Sequence, residues 1–154
     1  MMSQNAVEKT TFLQTCLFQY MIGNTDWNVK NRHNLEFIQV PGYSYLVPVP
    51  YDFDYAGLVS APYAAHHESI NLASVSMRYY QGKCVSKEEA DKAIQTFLTK
   101  KERLLAICHE VPGLSERSIK HVTGYLNEFF EILENPKKTE NYILNHCDRW
   151  PLDH

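Results

Sequence analysis

Residues 23–34 read GNTDWNVKNRHN and residues 50–57 read PYDFDYAG, and the relation between these two stretches decides how the chain is read. The first carries Asn24, Asp26, Asn28, Asn31 and Asn34, and the second carries Asp52 and Asp54. Between them, Leu35–Val40 and Tyr43–Val49 are rich in β-branched and aromatic residues and flank the turn pair Pro41-Gly42, so a β-hairpin is expected. If Val40 pairs with Tyr43, Asn34 falls opposite Val49, and the loop before the hairpin meets the Asp pair after it at the open end. Pro48 and Pro50 have no amide hydrogen for a ladder, which puts the second strand at an edge or breaks it there. Two carboxylates and an amide then converge on an oxygen-rich site of the kind that takes Mg²⁺, with a third carboxylate near enough to accept a hydroxyl proton. The competing reading is structural, since Asn and Asp form turns and caps, and an isolated Asp-x-Asp is more often a turn device than a metal site. The ordered set, helix, Asp, Asn, hairpin and then Asp at a strand end, favours function.

Working outward, Phe12, Leu13, Cys16, Leu17, Tyr20 and Met21 recur at helical spacing within Val7–Ile22, and Gly23-Asn24 supplies the stop. The segment 58–85, containing Pro62, His66, His67 and Gly82, reads as long irregular structure with one short helix. Ser86 and Glu89 form a capping box for a helix running to Glu110, buried through Ala90, Ile94, Phe97, Leu98, Leu104, Leu105 and Cys108. Val111-Pro112-Gly113 ends it. A second long helix, Ser115 to Glu134, and a third opened by Asn135 as cap and Pro136 complete an antiparallel bundle over residues 86–150. The expected fold is α+β, mainly α, in a single domain covering residues 1–154, with the helix, loop and hairpin in residues 1–60.

Composition narrows the classes. At 154 residues with 44% apolar and 21% charged residues the chain is ordinary globular material. A formal net charge of -3 and a pI near 6.1, with basic and acidic residues interspersed, argue against nucleic acid as a main partner. No stretch approaches the length of apolar residues needed to span a membrane, and the start, MMSQNAVEKTTFLQ, lacks a signal-peptide pattern, so the default location is cytoplasmic. Cys16, Cys84, Cys108 and Cys147 lie far apart without zinc-ligand spacing and read as reduced thiols; in an exported protein the even count also permits two disulfides.

The paired motifs GNTDWNVKNRHN and PYDFDYAG resemble those of atypical kinases such as the spore-coat kinase family, the HipA-like kinases and the phosphatidylinositol kinases. More broadly, residues 12–150 look like the latter part of a group of uncharacterised bacterial proteins that carry a comparable length of chain before this point. The first resemblance implies a kinase-like carboxy-terminal lobe in which Asp26 orients or deprotonates the acceptor. Asn34 and Asp52 would then ligate metal, Asp54 would share it in place of the D-F-G glycine, and Asn31 stands as the alternative to Asn34 by protein-kinase spacing. It also implies ATP with Mg²⁺ or Mn²⁺ as cofactors. No Gly-rich loop, strand lysine or partner Glu precedes residue 26, so an N-terminal lobe or a partner chain is expected to complete the enzyme, and this chain alone is expected to be inactive. A fragment of a longer exported protein would be periplasmic or secreted instead.

Two other functions fit parts of the pattern. A helical interaction module would keep the loop for folding alone, and Asp52-Phe53-Asp54 could be the D-x-D site of a nucleotide-sugar transferase, against which the missing βαβ pattern counts. The adjacent His66-His67 reads as an exposed or hydrogen-bonded pair before a metal site, and His33 as a residue that fixes its loop. Trp27 reads first as core, Arg78, Tyr79 and Tyr80 as ordinary packing and surface charge, and Lys100–Arg103 as a solvated helix face.

Overall fold

The computed structural model describes residues 7–65 and 70–148, which form five α-helices and one two-stranded antiparallel sheet, an α+β fold that is mainly α. The chain divides into two compact units, one made of residues 1–85 and 147–154, the other of residues 86–146. No helix among the described residues is long and apolar enough to cross a membrane.

In the first unit, α1 spans Lys9–Ile22, with the Glu8 carboxylate accepting from the Thr10 and Thr11 amides at its start. The helix therefore begins two residues later than its apolar pattern, and Val7 instead forms a bridge with Leu46. All six residues of the expected apolar stripe are buried, and burial extends beyond it to Thr15, Gln19 and Ile22, so α1 is the central helix of its unit. At its end Gly23 takes a left-handed conformation, φ 67°, with the Gly23 amide donating to Tyr20 O and the Asn24 amide to Gln19 O. Those two bonds are a Schellman cap, and glycine is there because a side chain disfavours that φ.

Strands β1, Leu35–Gln39, and β2, Leu46–Pro50, pair with Leu35 opposite Pro50 and Gln39 opposite Leu46. The Pro41-Gly42 turn is present, closed by the Tyr43 amide on Val40 O with Gly42 at φ 87°, but it lies inside a longer connection, 40–45. The register is accordingly two residues away from that expected, and Asn34 faces Tyr51 rather than Val49, the Tyr51 amide donating to Asn34 O. A slip of two preserves which side chains share a face, so Leu35 and Pro48 still point into the core. Because the Tyr51 amide points at β1, those of positions 48 and 50 would point away from it, and the two prolines cost no ladder bond.

The described part of residues 58–85 holds turns and bends but no helix. Its close is covalent. Cys84 and Cys147 form a disulfide with Cα atoms 4.8 Å apart, flanked by the Cys84 amide on Asp148 O and the Asp148 amide on Gly82 O. The expectation of four reduced thiols fails for this pair; Cys16 and Cys108 are free and buried. Gly82 is required by close approach, because a Cβ there would overlap the ring of Tyr80, itself buried and edge-on to Tyr20. Gly82→Ala is expected to lower stability by about 1–3 kcal/mol in a denaturant titration, the usual cost of overpacking.

The second unit contains α2 (Lys87–Thr99), α3 (Lys101–Glu110), α4 (Glu116–Leu133), α5 (Pro136–Tyr142) and a 3₁₀ turn, Leu144–His146. The capping box of Ser86 with Glu89 is formed, and Ser115 and Asn135 cap α4 and α5. The single helix expected to reach Glu110 is broken at Lys100, where no Gly or Pro stands. The Thr99 hydroxyl donates to the carbonyls of Gln95 and Thr96, and the Lys100 amide bonds Phe97 O in a tighter turn. Around α4 the core is aromatic: Phe129 is fully buried, with Phe97 and Phe130 in edge contact at 5.6 and 5.2 Å.

Candidate active site

Every residue assigned a metal or catalytic role from sequence lies in the first unit, on the connections leaving α1 and β2. The Schellman cap sets the direction of the chain, after which the Asn24 side chain, 1% exposed, receives the Asp26 amide on Oδ1 and donates from Nδ2 to Gln19 Oε1. Asn24 is thus the scaffold of the loop. Asn28 accepts the Lys30 amide on its side chain and exchanges both backbone bonds with His33, closing a small loop in which Asn31 is exposed. Arg32 and Asn34 adopt left-handed backbone at φ 54° and 50°.

That closure delivers two side chains to Asp26. His33 Nε2 lies 3.0 Å from Asp26 Oδ1, while Asn34 Nδ2 donates to Asp26 Oδ2 at 3.1 Å and to its carbonyl at 2.8 Å. Asn34, not Asn31, is the amide brought to the aspartate. With Nδ2 committed, the Oδ1 of Asn34 is the atom left to ligate a cation. Asp26 keeps 24% of its side-chain surface, enough to meet a solvent-borne acceptor.

On the other side of the hairpin, Phe53 packs edge-on against Phe18 of α1 at 5.5 Å, and the Gly57 and Leu58 amides donate to the terminal carbonyls of Gly23 and Ile22. These contacts hold the Asp-x-Asp segment against the end of α1. Asp52 is exposed and left-handed, φ 55°. The Asp54 carboxyl beside it, by hydrogen bond and by like charge, pushes the Asp52 carboxyl above the usual range; slight burial and the charge of Asp26 act the same way, and the Asp54 backbone amide opposes them. Asp52 therefore feels the charge of both Asp54 and Asp26.

The sign of the pH effect follows. A carboxyl raised on folding gives the folded state the extra proton, so its contribution falls as pH rises from the unfolded value through the folded one, and acid relieves the repulsion. A divalent cation would relieve it too. Among the described residues no group of three His, Cys, Asp or Glu side chains could hold a metal by itself. The oxygens available at this end of the hairpin are the carboxylates of Asp52 and Asp54 and the Asn34 Oδ1, donors of the hard type that Mg²⁺ takes together with water.

His66 and His67 lie outside the described residues. Two contacts had no local signal in sequence: Gln81 Nε2 donates to Thr25 O, and Arg78 Nε to Met21 O, each bridging more than fifty positions. Comparison with protein-family models, with curated proteins and with solved structures returns no match.

Proposed function

We propose that the first unit is the metal- and acceptor-handling lobe of a kinase-like phosphotransferase. Asp26 takes the proton of an acceptor hydroxyl as its oxygen bonds the terminal phosphorus of ATP and the bridging oxygen leaves with ADP. Asp52, with Asp54 and the Asn34 amide oxygen, holds Mg²⁺ or Mn²⁺, which supplies charge neutralisation on the phosphates. The observation that carries this reading is geometric: Asp26 is held by His33 and Asn34, and the Tyr51 amide bound to Asn34 O brings the Asp52-Phe53-Asp54 segment to the same end of the hairpin. Like charges gathered at an exposed, left-handed position cost stability, and such local cost concentrates at functional sites. Residues 9–22 form one helix, so the grip on the nucleotide is assigned to an N-terminal lobe or a partner chain.

The Cys84–Cys147 disulfide supports an oxidising location, periplasmic or secreted, over the cytoplasmic default. The interaction-module reading has its own observation, the outer face of the hairpin, where Ile38, Val49 and Tyr51 are exposed.

Calorimetric titration of Mg²⁺ and Mn²⁺, with and without ATP, into wild type and Asp52→Asn separates the two. Asparagine tolerates left-handed backbone and removes the repulsion, so the variant is expected to melt no lower than wild type while losing the metal binding that wild type shows with or without ATP. In wild type that binding should weaken on acidification toward the carboxylate range, because protons compete for Asp52. A wild type that binds neither metal nor nucleotide would leave the module reading standing.

A further inference from the structure

Beside the Asp26 loop, within the same unit, lies a cavity of about 360 Å³. That is at the lower end of the roughly 300–1,000 Å³ typical of small-ligand pockets. Trp27, Ile70 and Tyr80, all buried, form its inner wall, and Lys30, Lys83 and the partly exposed Tyr79 stand nearer solvent.

The cavity is tied to Asp26 from both sides along the chain. Trp27 follows Asp26 directly, and Gln81, another lining residue, holds the carbonyl of Thr25, which precedes it. The far wall is fixed as well, since Lys83 and Asp148 sit next to the disulfide and are joined by the backbone bonds of Gly82 and Cys84 to Asp148. A wall cross-linked in this way loses little entropy when a ligand enters.

Charge sets the class of ligand. Two lysines and one aspartate line the cavity, and although Asp148, 72% exposed, lies 3.7 Å from Lys83, whose side chain keeps 18% of its surface, the lining carries a net positive charge. An anion is attracted here, whereas at Asp26, Asp52 and Asp54 it would be repelled. A ligand charged at one end only, with its neutral part toward the loop that carries Asp26, fits this arrangement.

We propose that this cavity binds a small hydroxylated anion, a sugar acid or sugar phosphate, with its charged group on Lys30 and Lys83 and its ring against Trp27 and Tyr79. The ligand's role as phosphoryl acceptor rests on the phosphotransferase reading; its binding does not. Glucuronate, glucose 6-phosphate and glucose are titrated into the full chain without metal or nucleotide, for wild type, Lys30→Met and Lys83→Met, with far-UV dichroism to check folding. At least one anionic sugar is expected to bind about tenfold or more tightly than glucose and to lose about tenfold in each variant, as for a charge-assisted contact. The carboxylate and phosphate arms identify which anion is recognised. Equal binding of glucose, no binding of any of the three, or binding indifferent to both lysines overturns the proposal. Lys30 is on an exposed loop, so its variant carries the test if Lys83→Met misfolds. Sugar binding with a blank metal–nucleotide titration would keep the pocket and remove the phosphotransferase; the reverse pattern would remove the pocket alone.

Discussion

Replacing both Cys84 and Cys147 by serine is expected to lower the stability of the chain by about 4 kcal/mol. The bond closes 63 positions of chain, and the entropy denied to an unfolded loop of that size corresponds to about 4 kcal/mol in the chain-entropy relation. In a protein of this length that corresponds to a fall of roughly 10 °C in the thermal midpoint. The position of the bond makes the effect specific. Residues 86–146 leave the first unit after Val85 and return to it at Cys147, so the cross-link clasps the two chain crossings of the helical unit. A reductant should reproduce the loss, and scanning calorimetry of oxidised, reduced and doubly substituted protein would measure it. Interference from the remaining thiols is small: Cys16 is fully buried, and burial pushes its pKa up to about 12, where little thiolate exists for exchange. A loss below about 1 kcal/mol would mean that the unfolded chain is already compact across this loop.

Local signals were legible and distant ones were not, and the boundary follows the physics. The end of α1 could be read because glycine is nearly alone in accepting the left-handed cap, and the starts of α2, α4 and α5 could be read from Ser86, Ser115 and Asn135. The hairpin was legible as an element but not in register, since Pro41-Gly42 marks a turn without saying how many residues surround it. Parity survived that error. Asn34 and the segment after Pro50 therefore still meet, whereas the contact of Asn34 with Asp26 comes from the Asn28–His33 closure and not from the hairpin register. The interruption at Lys100 left no mark because no Gly or Pro stands there, and the paired bonds of the Thr99 hydroxyl recur at Thr123 inside the unbroken α4. Four cysteines allow three pairings and any number of free thiols, so the Cys84–Cys147 bond required coordinates. The same holds for Gln81 on Thr25, which joins the loop to the cavity. Asn24 and Asn28 show why amide-rich loops mislead: both are spent on backbone amides, while Asn34, of the same residue type, is spent on Asp26.

Phe129→Ala is expected to unfold the helical unit. Its ring is fully buried between Phe97 and Phe130, and removing a large aromatic from such a site costs about 3–5 kcal/mol through lost transfer energy and the cavity left behind. A unit of residues 86–146, at roughly 0.05–0.15 kcal/mol per residue, has only about 3–9 kcal/mol to lose. Leucine at the same position should retain most of the stability, because it fills part of the volume and contains no polar atom. Hydrogen exchange read by mass spectrometry would locate the effect, with protection lost across α2 to α5 in Phe129→Ala and kept in Phe129→Leu. A cost below about 1 kcal/mol would show that Phe97 and Phe130 close over the gap. Combined with the two serine substitutions at the clasp, the losses sum to about 7–9 kcal/mol, in the upper part of the range such a unit holds, so the triple variant should show no cooperative melting of the helices. Survival of that transition would mean that the helices are held by more than their aromatic core and their cross-link.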